Sequence, residues 1–261
     1  IQSAFPEALC IPYPQATLVP TDVAPKRAKW GVPQDAVVFL NVFDLHSDIM
    51  RKNPLAVVEA FRRAFPDPEN EYLVIKISAS ALARTQYPNE LALIHAVAAE
   101  TSHLILIDEL LPYEDVLALH ASCDVLVSLH RSEGLGLNLM EAMTYGKPVI
   151  CTAWSGNMDF STEYNSCLVG YELIPVAPTH TAYNPETLTG EAFWADPSVD
   201  EAAEHMARLA RDARLRTRLG QQARADMEER VRRYWRGPVF DQIKQQALDA
   251  GSALWAGRSR R

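Results

Sequence analysis

Residues 124–152, DVLVSLHRSEGLGLNLMEAMTYGKPVICT, carry the reading that decides the fold. The run DVLVSL (124–129) is apolar almost throughout, as a strand covered on both faces must be. Two glycines, Gly134 and Gly136, then stand directly before a helical stretch, NLMEAMTYG (138–146), and KPVICT (147–152) resumes the strand pattern. Strand, helix and strand at this spacing argue for a parallel sheet.

The same alternation extends upstream. VVFLNVF (37–43), YLVIKIS (72–78) and LILID (104–108) complete a set of five strands, separated by the amphipathic runs 53–65, 89–100 and 113–122. The expectation is an α/β chain with a doubly wound, Rossmann-like parallel sheet. Downstream of Trp154 the pattern loosens, and the Pro- and Tyr-containing connection 171–194 supports no assignment. From 199 to 234 apolar residues such as Met206, Leu209, Leu215 and Leu219 recur among many charges, which predicts a pair of amphipathic helices. The final GRSRR reads as a frayed tail.

Composition sets outer limits. Apolar residues at 48% and charged residues at 22% of 261 positions describe a globular chain able to bury a core. A formal charge of −8 argues against nucleic acid as the main partner, because phosphate backbones are bound with surplus Lys and Arg. Cys10, Cys123, Cys151 and Cys167 lie far apart with no CxxC pair, so neither a disulfide framework nor a zinc site is indicated. No apolar run is long enough to span a bilayer, and no charged-then-apolar stretch resembles a signal peptide, so an integral membrane segment is not expected.

In an open parallel sheet, ligands bind beyond the carboxyl ends of the strands at the switch point, here the loops after strands one and four. The second loop, HRSEGLGLNLMEAM (130–143), sets glycines before a helix start, where bare N–H groups and the positive helix end suit a diphosphate. Glu133 falls on the turn and Glu141 early in the helix. A carboxylate accepts two hydroxyl donors at once, as a ribose diol offers. The plainer alternatives are a helix N-terminal charge for Glu141 and a cap or an ion pair with Arg131 for Glu133. The first loop, FDLHSDIMRKNP (43–54), brings Arg51 and Lys52 just before Asn53-Pro54, read as an N-cap followed by Pro at the first helical position. Two cations there would reach a diphosphate from across the crevice; the alternative is a solvated surface pair. His130 reads equally as pocket lining or as packing, and His46 likewise. No His, Cys and carboxylate cluster has ligand spacing, so no metal is assigned.

The combination resembles a known family. SEGLGLNLMEAMTYGKPVICTAWSGNMDF (132–160) is similar to the signature of the retaining glycosyltransferases of family 4, or group 1, with two glutamates eight positions apart around a G-x-G turn, then EAM, a GKPV strand and a small-residue loop. RKNP (51–54) and RLARDARLRTRLGQQAR (208–224) also resemble that family's carboxyl half, so the likeness spans roughly 15–235. The resemblance implies the C-terminal, donor-binding half of a GT-B fold. It implies a lead-in at 1–25 from an absent N-terminal domain, a nucleotide-sugar-binding domain at 26–235, and a helix with a basic tail at 236–261.

By the same resemblance, Glu141 holds the ribose, Glu133 lies against the donor sugar, and the turn N–H groups of Gly134, Leu135, Gly136 and Leu137 meet sugar and diphosphate. Lys52 takes the diphosphate, and the loop 108–112 lines the base. The family's usual Gly-Arg ahead of the lysine is replaced by Phe43-Asp44-Leu45-His46-Ser47, leaving Ser47 or Arg51 as substitutes. The implied reaction moves a hexose from a nucleoside-diphosphate sugar to an acceptor hydroxyl with retention, with no cofactor. The acceptor, a sugar or glycolipid, would be bound by the absent domain. Bacterial polysaccharide or glycolipid synthesis is the implied setting, in the cytoplasm or peripherally on the inner face of the membrane. Rival readings are a sugar-nucleotide epimerase or phosphorylase of the same architecture, and a nucleotide-sugar-binding module without turnover.

Overall fold

Six parallel strands form one sheet among the described residues: β1 (Val37–Asp44), β2 (Glu71–Ser78), β3 (Leu104–Ile107), β4 (Val125–Ser128), β5 (Val149–Thr152) and β6 (Ser166–Val169). Their order is β3-β2-β1-β4-β5-β6, the doubly wound arrangement expected. The computed structural model describes residues 15, 17–176, 183, 191–235, 241–242, 244–246 and 248. The expected frayed tail and the absent-domain lead-in fall largely outside these residues.

The apolar strands are buried on both faces. On one face of β1, Phe39 and Phe43 join Phe61 of helix α2 (Pro54–Ala64) in the main core, while Val38 and Leu40 are buried on the other. Phe39, Phe61 and Phe65 form an aromatic cluster with centroids 5.2–6.3 Å apart. Helix α7 (Val199–Arg211) contributes Ala202, Met206 and Leu209 to the same core, and helix α8 (Ala213–Trp235) contributes Leu215 and Leu219. The expected helix pair is therefore present, with α7 capped by the Ser198 side chain. Between the strands lie α1 (Ile49–Lys52), α3 (Ala81–Gln86), α4 (Pro88–Ala99), α5 (Tyr113–Ser122) and α6 (Leu137–Thr144).

Several elements differ from the sequence reading. β6, SCLV, is a sixth strand too short and too mixed in character to show periodicity. The two ends of the unassigned stretch pair as an antiparallel hairpin, β7 (Tyr171–Pro175) with β8 (Phe193–Pro197); its remaining residues lie outside the described ones, save for 176, 183, 191 and 192. Asn53 does occupy the N-cap position of α2 with Pro54 next, but it takes a left-handed φ of 52° and its side chain caps nothing. The true cap stands earlier: Asp48 Oδ1 accepts the N–H groups of Met50 and Arg51, ordering α1 as a single added turn.

The chain divides into two compact units, Val19–Arg224 and Ile1–Leu18 with Ala225–Arg261. In the latter, Arg230 Nε donates to Gln15 O at 2.8 Å. Cys123, Cys151 and Cys167 are buried free thiols of the first unit, and burial raises Cys123 and Cys151 to about 12. Among the described residues no helix is long and apolar enough to cross a membrane.

Candidate functional site

The crevice begins where a ladder ends. β1 pairs with β2 along its whole length, but with β4 only at Phe39↔Val125 and Leu40↔Leu126. Beyond that point the two strands part, and asparagines take over the backbone groups that the ladder leaves. Asn41 Nδ2 donates to Val127 O at 2.8 Å, and Asn138 Nδ2 of α6 donates to Val42 O at 3.0 Å. Above them opens a cavity of about 300 Å³ lined by Asp44, Ser47, Arg51, Lys52, Glu133 and Leu137, among others. The loops after β1 and β4 thus face each other across the switch point, as the open-sheet rule requires.

Bonds to main-chain carbonyls tie the two loops together. Arg131 N–H donates to Arg51 O at 2.8 Å, Arg51 Nη1 to Ser132 O at 2.8 Å, and Arg131 Nη1 to Met50 O at 2.8 Å. Arg51 also donates from Nε to Ser47 O at 2.9 Å, so two of its donor groups serve the loops themselves. The short α1 turn, fixed by Asp48, presents Lys52 to the crevice, where its Nζ bonds Glu133 Oε2; Arg51 Nη1 stands 3.9 Å from the same oxygen. Of the plainer alternatives for Glu133, the ion pair with Arg131 does not form. Arg131 instead reaches Asp196 of β8 at 2.7 Å, while its Nη1 bonds Met50 O.

Burial alone would raise the Glu133 carboxyl, but the Lys52 ammonium, with His130 and Arg51, holds it below the usual carboxylate range. A carboxyl depressed in the folded state adds stability that is complete above its unfolded value, near 4.5, and that is lost as pH falls through the lower folded value. The stability gap between wild type and Glu133→Gln should therefore be constant near neutrality and close on acidification below about pH 4. Thermal unfolding of both proteins across pH 3–7 measures it; a gap unchanged at pH 3 would show that the ion pair contributes nothing.

Gly136 takes φ 92° as N-cap of α6, a conformation that suits glycine, whereas Gly134 has open space for a side chain. The Gly134 N–H donates to Glu133 Oε1 at 3.1 Å. Leu137, half exposed, and Asn138 open α6 with N–H groups that have no acceptor within the helix. Leu135 lies on the same turn, partly buried.

Glu141 lies on the second turn of α6, 8% exposed, between two residues of α5. Tyr113 Oη donates to its Oε1 at 3.0 Å, and burial together with the Glu141 charge pushes the phenol up to about 12. The wholly buried His120 places Nε2 3.1 Å from Oε2, close but not aligned as a hydrogen bond. Neither partner was visible in the sequence, since both lie more than twenty positions upstream. In the loop 108–112, Asp108 is held by Arg84 Nη2 at 2.6 Å and His95 Nε2 at 2.7 Å. Lys76, buried on β2 with Nζ donating to Ile77 O, is a further polar group that the sequence reading passed over.

His130 is wholly buried behind the crevice. Its Nδ1 contacts Ser128 Oγ and its Nε2 contacts Asn157 Oδ1, each at 3.0 Å, and burial lowers its pKa. The ring joins the β4 loop to the loop after β5. That second loop packs closely: the Gly156 N–H donates to Glu133 O at 2.9 Å, and the space a Cβ on Gly156 would need is filled by Gly134 O.

By structure the chain resembles the C-terminal domain of a glycosyl transferase group 1 family protein (LpcC) from Francisella tularensis, with TM-score 0.57 and 18% identity over 81% of this chain and 97% of that one. It also resembles sucrose-phosphate synthase from Thermosynechococcus elongatus (TM-score 0.60, 17% identity, 95% of this chain and 52% of that one). A third neighbour is Anabaena HepE in complex with UDP and glucose (TM-score 0.56, 18% identity, 87% and 50%). The chain therefore spans about half the length of the latter two. No curated protein matches at the level of sequence. The family model for glycosyl transferases group 1 matches residues 26–226, which takes in both crevice loops, the whole parallel sheet, α7 and the first part of α8, and the chain belongs to that family.

Proposed function

We propose that this chain is the donor-binding half of a retaining glycosyltransferase that moves a hexose from a nucleoside-diphosphate sugar to an acceptor hydroxyl. The observation that carries this reading is the meeting of Lys52 and Glu133 across the switch-point crevice, beside the amino end of α6. The neighbour in complex with UDP and glucose supports it. Departure of the diphosphate is the hard step. Lys52 and the open N–H groups of α6 would stabilise the charge that develops there, with Arg51 adding its field. Glu133 would lie against the hexose and Glu141 would take the ribose diol. Retention follows from attack on the face that the departing phosphate leaves, with that phosphate assisting.

The acceptor, a sugar or glycolipid in polysaccharide synthesis, would be presented by a second domain, whose closure would also exclude water. The test is a panel of UDP, GDP and ADP sugars, offered to this chain and to any longer chain that contains it, with products weighed by mass. Transfer to an acceptor supports the reading. Isomerised sugar nucleotide, or binding without turnover, replaces it with an epimerase or a binding module.

On this reading cationic side chains and a helix end would take the part that a divalent ion plays elsewhere in neutralising a diphosphate. Donor binding should therefore be the same, within about twofold, with and without EDTA. Loss on chelation with recovery on adding magnesium or manganese would refute metal independence.

A further inference from the structure

We propose that Ser155 is a positioning residue, its hydroxyl fixing the backbone of Glu133 from a conformation that most side chains avoid. The proposal rests on the reading of Glu133 as the residue against the donor sugar. Ser155 has φ 74° and ψ −147°, close to a region that is populated almost only by glycine. Strain of this kind persists where the surroundings impose it, and two hydrogen bonds of its hydroxyl impose it here.

Ser155 Oγ accepts the Glu133 N–H at 2.7 Å and donates to Trp154 O at 2.6 Å. The next residue, Gly156, donates its N–H to Glu133 O at 2.9 Å. Consecutive residues of one loop therefore grip both polar groups of the Glu133 peptide backbone, and the side chain retains only its own rotations. The gripping loop is anchored in turn. Asn157, wholly buried, donates from Nδ2 to Thr152 O at 3.0 Å and meets His130 Nε2 through Oδ1 at 3.0 Å. Glycine at position 155 would be free of strain but would offer Glu133 no acceptor. Alanine would keep the strain and lose the acceptor as well. The serine hydroxyl is the feature that neither supplies.

This separates two effects that usually move together. Ser155→Gly and Ser155→Ala should lose the same hold on Glu133, yet Ser155→Gly should melt at the higher temperature because only alanine remains strained. The probes are UDP with UDP-glucose, and GDP with GDP-mannose, titrated calorimetrically against wild type, both Ser155 variants and Glu133→Gln. The quantity read is the extra affinity that the sugar adds over the bare diphosphate. Both Ser155 variants should lose about three- to tenfold of that extra affinity, the range for one neutral hydrogen bond, while binding the diphosphate within about twofold of wild type.

A loss that follows melting temperature, larger for Ser155→Ala than for Ser155→Gly, would mean a merely structural serine and overturn the proposal. If Glu133→Gln loses the sugar increment and both Ser155 variants keep it, the positioning role alone is wrong. A wild type that gains nothing from either sugar overturns the assignment of Glu133 and this proposal together.

Discussion

Lys52→Ala should weaken binding of a nucleoside diphosphate by roughly ten- to a hundredfold while leaving the free nucleoside nearly unaffected. A hydrogen bond to a charged partner is worth about 1.5–3 kcal/mol, and of the proposed ligand's parts only the diphosphate would offer Lys52 such a partner. The variant also removes the nearest cation from the Glu133 carboxylate, which is 14% exposed and faces the incoming anion with Arg51 left 3.9 Å away, so repulsion adds to the loss. Both contributions should shrink as salt rises. Adding Glu133→Gln to Lys52→Ala should then restore part of the affinity.

Glu141→Gln should act on the other end of the ligand, lowering nucleoside and diphosphate affinity alike, because the ribose is common to both. Calorimetric titration of nucleoside, monophosphate and diphosphate against the three variants decides. Equal loss for all three ligands on Lys52→Ala, or none on Glu141→Gln, would show that the roles are misassigned.

The second large effect falls on stability. Gly156→Ala would drive a methyl group into Gly134 O, and Gly220→Ala would drive one into Gly146 O, in both cases against backbone that cannot rotate away. Overpacking of this kind costs about 1–3 kcal/mol and sometimes more. Each variant should lower the melting temperature by several degrees or fail to fold. Gly134→Ala is the control: nothing lies within 4 Å of its added methyl group, so a change under about 0.5 kcal/mol is expected. A Gly156→Ala protein as heat-stable as Gly134→Ala would show that the two loops are not packed as described.

How much of this was legible depended on whether the signal was local. The strands β1, β2, β4 and β5 announced themselves as apolar runs because central parallel strands are covered on both sides, and the half-buried edge strand β3 is apolar as well. The switch point followed from their order, and both loops named from it line the cavity. What stayed hidden was set by tertiary structure. Asn41 and Asn138 look like ordinary polar residues until β1 and β4 part and leave carbonyls for them to bind. Sequence proximity suggested Arg131 as a partner for Glu133, whereas the hairpin strand β8, more than sixty residues away, supplies Asp196 to Arg131. Tyr113 and His120 reach Glu141 only because α5 packs beside α6. A serine with positive φ carries no mark in the sequence at all.

The close approaches at Gly156 and Gly220 fall just outside the two ends of α6. One loop presses its backbone against Gly134 ahead of the helix, and α8 presses against Gly146 behind it. The helix that carries Glu141 and the open N–H groups is thus held like a shaft between two bearings, unable to slide along its axis. The ordering of these groups is completed when the chain folds, so an arriving ligand has little main chain left to immobilise. Such a mounting would also transmit disturbance: a shift of α8 at Gly220, away from the crevice, would press on Gly146 and so on the end of the helix that carries Glu141.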